Sequence, residues 1–145
     1  MNNESIIIRK LTLPASISEV WDALVNPKKT KQFMFNCEVN SDWKIGSPIV
    51  WKGNYEGYES GERGVILEFD EGKRLKYTSF DPNFELADTE ENYLHISYDL
   101  SAKGDNSTEL VTTIENFNGD AKRNGHLAAG WDIIVLPALQ KLFIK

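Results

Sequence analysis

The sequence predicts an α+β fold, a curved antiparallel sheet of six or seven strands with one long C-terminal helix packed in its concave face, and three observations predict it. The first is the run from Asp120 to Lys145, the one stretch long and apolar enough to be a major helix. The second is about eighty residues of period-two alternation broken by turn chemistry. The third is a pair of short helical patterns between the first strand and that alternating region. Strands joined by short turns pair antiparallel, and strands grouped apart from helices give α+β rather than α/β. At 145 residues, with no internal repeat, linker or low-complexity segment, residues 1–145 are expected to form a single domain.

Ser5 to Leu13 reads as a strand, with isoleucine at residues 6 to 8 and alternation after them, and Pro14 ends it. Ser16 and Glu19 form a capping box, and Ile17, Val20, Trp21 and Leu24 then follow at the spacing of a short amphipathic helix. Asn26 and Pro27 stop that helix and start a second, which runs past Lys28, Lys29 and Lys31 to Phe33. Cys37 to Asp42 is a weak strand, and Pro48 to Gly53 a strand with Ile49 and Trp51 on one face. Gly64 to Asp70 is expected to place Val65, Leu67 and Phe69 together, and Glu71-Gly72 signals a hairpin into Arg74 to Phe80, with Leu75 and Tyr77 inward. Asp81 to Glu91 carries five acids and no base, and is expected to be a mobile loop anchored only by Phe84 and Leu86. Tyr93 to Leu100 puts Leu94, Ile96, Tyr98 and Leu100 on one face, and Thr108 to Asn116 turns Leu110, Thr112 and Ile114 inward.

On the C-terminal run, Leu127, Trp131, Ile134, Val135, Ala138 and Leu142 recur along one helical face. Ile133, Leu136, Leu139 and Phe143 widen that arc, so the helix should be buried on more than one side or face a cavity. Pro137 removes the bond to the Ile133 carbonyl and clashes with the preceding turn, at about 3 kcal/mol in a regular helix, so a bend or local break is expected there.

Several local motifs stand in this order: Pro14-Ala-Ser-Ile-Ser-Glu-Val-Trp21-Asp-Ala-Leu24, Asn26-Pro27, Gly64-Val-Ile-Leu-Glu-Phe69, Arg74-Leu-Lys-Tyr-Thr78, then His126 and Gly130-Trp131 on the long helix. Their order and spacing resemble the START-like superfamily, the helix-grip fold of the birch-pollen allergen and polyketide cyclases, also called SRPBCC. Within it the chain is most similar to the single-domain bacterial form of the family of the activator of heat-shock protein 90 ATPase. Phe33 stands where many relatives have tryptophan, and Asp70-Glu71-Gly72 replaces a common proline-containing turn. The resemblance implies three functions: a binding module for an apolar or aromatic small molecule, a co-chaperone of the stress response that docks heat-shock protein 90, or a cyclase/aromatase-type enzyme using the same cavity. In that family the stimulatory activity depends largely on a separate N-terminal domain, for which a chain that opens directly into strand one is expected to leave no room.

Sixteen basic against twenty-two acidic residues, a net charge of −6, argue against nucleic acid or an anionic membrane as main partner. With no basic-then-apolar leader, no run of eighteen apolar residues and a single cysteine, Cys37, the expectation is a cytoplasmic monomer without disulfide or membrane span. No phosphate-binding glycine loop, zinc-hydrolase motif or nucleophile elbow appears, and the two histidines stand far apart in sequence with Cys37 isolated from both. No metal, cofactor or catalytic residue is therefore expected. The pocket candidates are Trp131, Val135 and Ala138 on the helix and Trp51, Tyr77 and Phe117 opposite, with Phe80 among further aromatics and His126 near the mouth. His126 is of a type that exchanges protons near neutral pH, but no carboxylate is visibly placed to orient it.

Overall fold

The computed structural model describes residues 5–118 and 121–144. β1 (Ser5–Leu13) is an edge strand, paired antiparallel with β8 (Ser107–Asn116) from Ser5 opposite Asn116 to Leu13 opposite Thr108. The remaining strands are β2 (Cys37–Ser41), β3 (Pro48–Tyr55), β4 (Tyr58–Glu59), β5 (Arg63–Asp70), β6 (Arg74–Ser79) and β7 (Leu94–Gly104). They form one antiparallel sheet in the order β1-β8-β7-β6-β5-β3-β2, with the two-residue β4 paired to β3. β1 and β2 are thus opposite edges, and the helices between them, α1 (Ile17–Val25) and α2 (Pro27–Phe33), carry the chain across the sheet.

The local signals that start these helices are realised. Ser16 and Glu19 make the reciprocal capping box, and Asn26 caps α2 by accepting from the Lys28 N–H at 3.0 Å. On α1 the buried face is Val20, Trp21, Ala23 and Leu24, with the Trp21 ring edge-on to Phe69 at 5.6 Å between centroids. Thr30 of α2 is wholly buried and ties the helix to β2: its hydroxyl donates to the Cys37 carbonyl at 3.0 Å and accepts from the Val39 N–H at 3.1 Å. Lys28, Lys29 and Lys31 are exposed.

On β8 the inward residues alternate without interruption, Thr108, Leu110, Thr112, Ile114 and Asn116 all buried. β5 departs from the expected face. A bulge between Ile66 and Glu68 shifts the alternation by one, so Ile66 is buried and Val65 is 39% exposed. At this irregularity the Thr78 hydroxyl accepts from the Val65 N–H at 2.9 Å, and a Cβ on Gly64 would collide with the Thr78 carbonyl. Only glycine fits so close a backbone approach.

The segment from Asp81 to Glu91 is tied down by more than the expected pair of side chains. Asp88 accepts from the Tyr93 hydroxyl and from Arg63, both at 2.7 Å, and these bonds, the tyrosine's above all, hold its carboxyl below the usual range; buried Asn92 donates to the Ala87 carbonyl at 2.9 Å. The expected Phe84 anchor lies outside the described side chains.

The C-terminal helix comprises α3 (Ala121–Gly130), a π turn over Trp131–Val135 and α4 (Leu136–Leu142); the predicted ends Asp120 and Lys145 lie outside the described residues. Helical backbone at both Gly130 and Leu136 shows that the chain does not break at Pro137. Instead the Leu136 N–H reaches back five residues to the Trp131 carbonyl. That wider turn accommodates a proline that lacks an N–H and crowds the carbonyl four residues before it. Trp131, Val135 and Leu139 are the buried line of this helix, while Ile133, expected to widen the apolar arc, is 72% exposed. The line seats against the concave face of the sheet, in one core with Leu75, Tyr77, Ile96, Tyr98, Leu110 and Ile114.

Candidate ligand-binding site

The helix does not fill the sheet along its whole length. Between its N-terminal half and the strand ends that carry Cys37, Trp51, Ser79 and Leu94 lies a partly open cavity of about 580 Å³. Phe35, Trp51, Tyr55, Tyr77, Ile96, Leu127 and Trp131 make most of its apolar wall. Gly130 faces it from the helix, where a Cβ would sit 3.5 Å from the Phe35 ring. Phe35 itself is held in the left-handed region at φ 51°, edge-on to Tyr55 at 5.3 Å, a conformation uncommon outside glycine.

Of the residues expected from the sequence, Trp51, Tyr77, His126 and Trp131 stand on this wall and four others do not. Phe80 lies between two wall residues, Ser79 and Asp81, and its ring stacks on Tyr93 at 5.0 Å with the Arg63 guanidinium over it. Phe117 packs edge-on against His95 at 4.7 Å, and His95 alternates away from the wall residues Leu94 and Ile96. Val135 is fully buried in the core, past the cavity. Ala138 borders a separate shallow groove with Lys29, Gln32, Lys141 and Leu142. Thr112, read as inward on its strand, is buried beside Tyr98, and its hydroxyl has no hydrogen-bond partner among the described residues.

The cavity also has a polar corner that the sequence expectation misses. Val50 pairs with Arg63 and the Trp51 N–H donates to the Glu62 carbonyl at 3.0 Å, so Trp51 and Glu62 stand across from each other with both side chains inward. The Ser79 hydroxyl donates to the Glu62 carboxylate. Burial pushes the Glu62 carboxyl up to about 7, with the nearby Asp81 charge adding to the rise and the Ser79 bond opposing it. Burial raises the Cys37 thiol too, helped by the charges of Glu62 and Asp81. Beside them the Tyr77 and Tyr98 hydroxyls meet at 3.1 Å, and burial holds both phenols above the ordinary range. The sequence expectation starts this strand at Gly64. In the structure its inward face, Ile66 and Gly64 at alternate residues, extends back to Glu62, a face that the expected inward set of Val65, Leu67 and Phe69 does not reveal.

From the helix side Arg123 and His126 complete the wall; Arg123 is buried and donates to the Asn92 carbonyl at 3.3 Å. Among the described residues no three His, Cys, Asp or Glu side chains converge on a point that would hold a metal ion, and no helix is long and apolar enough to cross a membrane. The arrangement is suited to enclosing an apolar body and to exchanging hydrogen bonds, or a proton, at one end.

The same architecture is present in solved structures of other proteins. A protein from Cytophaga hutchinsonii, known from its solution structure, is 38% identical over 95% of this chain and 92% of its own, with a TM-score of 0.77. The Aha1 dimer from Colwellia psychrerythraea is 18% identical over 97% of both chains at a TM-score of 0.73. CalU16 from Micromonospora echinospora is 20% identical over 95% of this chain and 75% of its own, also at 0.73. At such identities the last two show a shared fold alone. No curated protein matches the sequence. The model of the family described as activator of Hsp90 ATPase homolog 1-like protein matches residues 14–143, and the chain therefore belongs to that family.

Proposed function

We propose that the protein is a binding module that holds an apolar or aromatic small molecule between the C-terminal helix and the sheet. The observation that carries this reading is the cavity of about 580 Å³, walled by aromatic and aliphatic side chains with polar groups at the Glu62–Ser79 corner and on the helix at Arg123 and His126. Ligand pockets have this size and this lining, whereas cores built only for packing leave few voids larger than a water molecule. A cyclase- or aromatase-type reaction in the same space is the second reading, favoured by Glu62, a carboxyl able to exchange a proton near neutral pH. Docking to heat-shock protein 90 draws on the family description alone, and capture of that chaperone by the immobilised protein would support it.

The test is thermal shift with fatty acids, flavonoids and polyketide-like aromatics. A ligand at one hundred times its dissociation constant stabilises the native state by about 2.7 kcal/mol, and at least one class should raise the melting temperature. The control is Gly130→Leu. It places a better helix former on the wall beside Phe35, so the fold should survive while the shift disappears. If no compound shifts the parent protein, the reading fails.

A further inference from the structure

We infer that the Trp51–Glu62 corner of the cavity recognises a hydroxyl group, so that the favoured ligand is an apolar ring or chain ending in a phenol or alcohol. The ligand oxygen accepts from the Trp51 indole and its proton is shared with the Glu62 carboxylate. This rests on the binding function proposed above and names the chemistry of the ligand's polar end.

Two independent observations define the corner. Trp51 is 3% exposed, stands on the cavity wall, and its indole N–H has no acceptor among the described residues. The nitrogen has no surface open to water, so a ligand oxygen reaches it only as the wall adjusts around the ligand, and in doing so removes the cost of an unpaired buried N–H. Directly across the β3–β5 pair, Glu62 accepts one bond from Ser79, and a carboxylate has lone pairs left for more. A hydroxyl is the smallest neutral group that satisfies both sides, since it accepts and donates at once. A ketone or ether meets only the indole, an ammonium only the carboxylate, and a ligand carboxylate would bring a like charge to Glu62 and Asp81.

The preference depends on pH because Glu62 is a full acceptor only when ionised, and burial has moved its titration close to neutrality. The groups around it are Cys37 on β2, Ser60 before β5, Tyr77 and Ser79 on β6, Asp81 beyond β6, Tyr98 behind Tyr77, and Arg123 and His126 on α3. A hydroxyl ligand favours the carboxylate, so its affinity rises on going from acid to alkaline conditions; an ether gains instead on the acid side, where protonated Glu62 donates to it.

The experiment titrates the full chain with 4-phenylphenol, 4-methoxybiphenyl and biphenyl by calorimetry, at about pH 8 and about pH 5.5, on either side of the Glu62 titration. At the higher pH the phenol should bind about tenfold or more tighter than either analogue, and the margin should narrow at the lower pH. Glu62→Gln, which keeps an acceptor for Ser79, should remove the pH dependence, and Trp51→Phe should weaken the phenol while leaving biphenyl unchanged. If Trp51→Phe does not fold, the Glu62→Gln titration decides alone. Equal affinity for all three compounds in the parent protein overturns the hydroxyl assignment and leaves the binding function standing. Full pH dependence in Glu62→Gln overturns the role of Glu62. Binding of none of the three counts against both.

Discussion

Tyr77 and Tyr98 share one hydrogen bond, 3.1 Å between hydroxyl oxygens, in the interior beside Trp131. Tyr77 belongs to β6 and stands on the cavity wall; Tyr98 belongs to β7 and passes its ring on toward Trp131 at 6.4 Å. The pair thus ties β6 to β7 behind the cavity wall, next to the residue that opens the π turn.

Removing one hydroxyl should cost more than removing both. Tyr98→Phe leaves the buried Tyr77 hydroxyl without this partner, a loss of about 1–3 kcal/mol, whereas Tyr77→Phe with Tyr98→Phe leaves two rings of nearly native shape. Urea denaturation of the two single variants and the double variant measures the coupling. Strict additivity would show that the hydroxyls do not depend on each other.

Glu62 makes a prediction about stability and pH. Its carboxyl titrates at about 7 in the folded protein, above the value of about 4.3 for an unfolded chain, so the native state holds the extra proton between those values. The stabilisation linked to that proton is fully present below the unfolded value and is lost as pH rises through 7, by up to about 4 kcal/mol. Glu68 and Asp132, whose carboxyls are held low by Arg74 and Arg9, act in the opposite sense, so the comparison must be between variants. Glu62→Gln should be more stable than the parent at about pH 8 and lose that advantage toward about pH 5, as read by urea midpoints. A constant difference across that range would contradict the shifted carboxyl.

Trp21→Ala should destabilise by about 3–5 kcal/mol, because it empties a buried site on α1 and strips Phe69 of its edge-on partner. Trp21→Phe, which keeps an aromatic ring there, should cost distinctly less. A variant Trp21→Ala as stable as the parent would mean that α1 is not seated on the sheet.

Much of the fold is legible in the sequence because its signals are local. The Ser16–Glu19 box, the Asn26-Pro27 cap and the inward faces of β7 and β8 each depend on residues a few positions apart and appear as read, although Ser97 on the other face of β7 is buried as well. The face of β5 is not legible, since the Ile66/Glu68 bulge depends on how β5 meets β6 rather than on its own residues. The same holds for half of the candidate site. Trp51, Tyr77, His126 and Trp131 reach the cavity, but Phe80 and Phe117 find aromatic partners elsewhere, and Val135 and Ala138 are carried past it by the π turn. Glu62 is missed because a charged residue ahead of a strand reads as solvated surface until Trp51 is seen opposite it.

The π turn before Pro137 also divides the C-terminal helix into two lengths that keep different time. One residue more than a regular turn holds displaces the angular phase of everything before Trp131 by about 100° relative to α4. The half bearing Arg123, His126 and Gly130 is thereby aimed at the cavity independently of the half bearing Leu139, which is aimed at the core. Substitutions on the first half are therefore expected to reshape the cavity without moving the keel on which the protein folds.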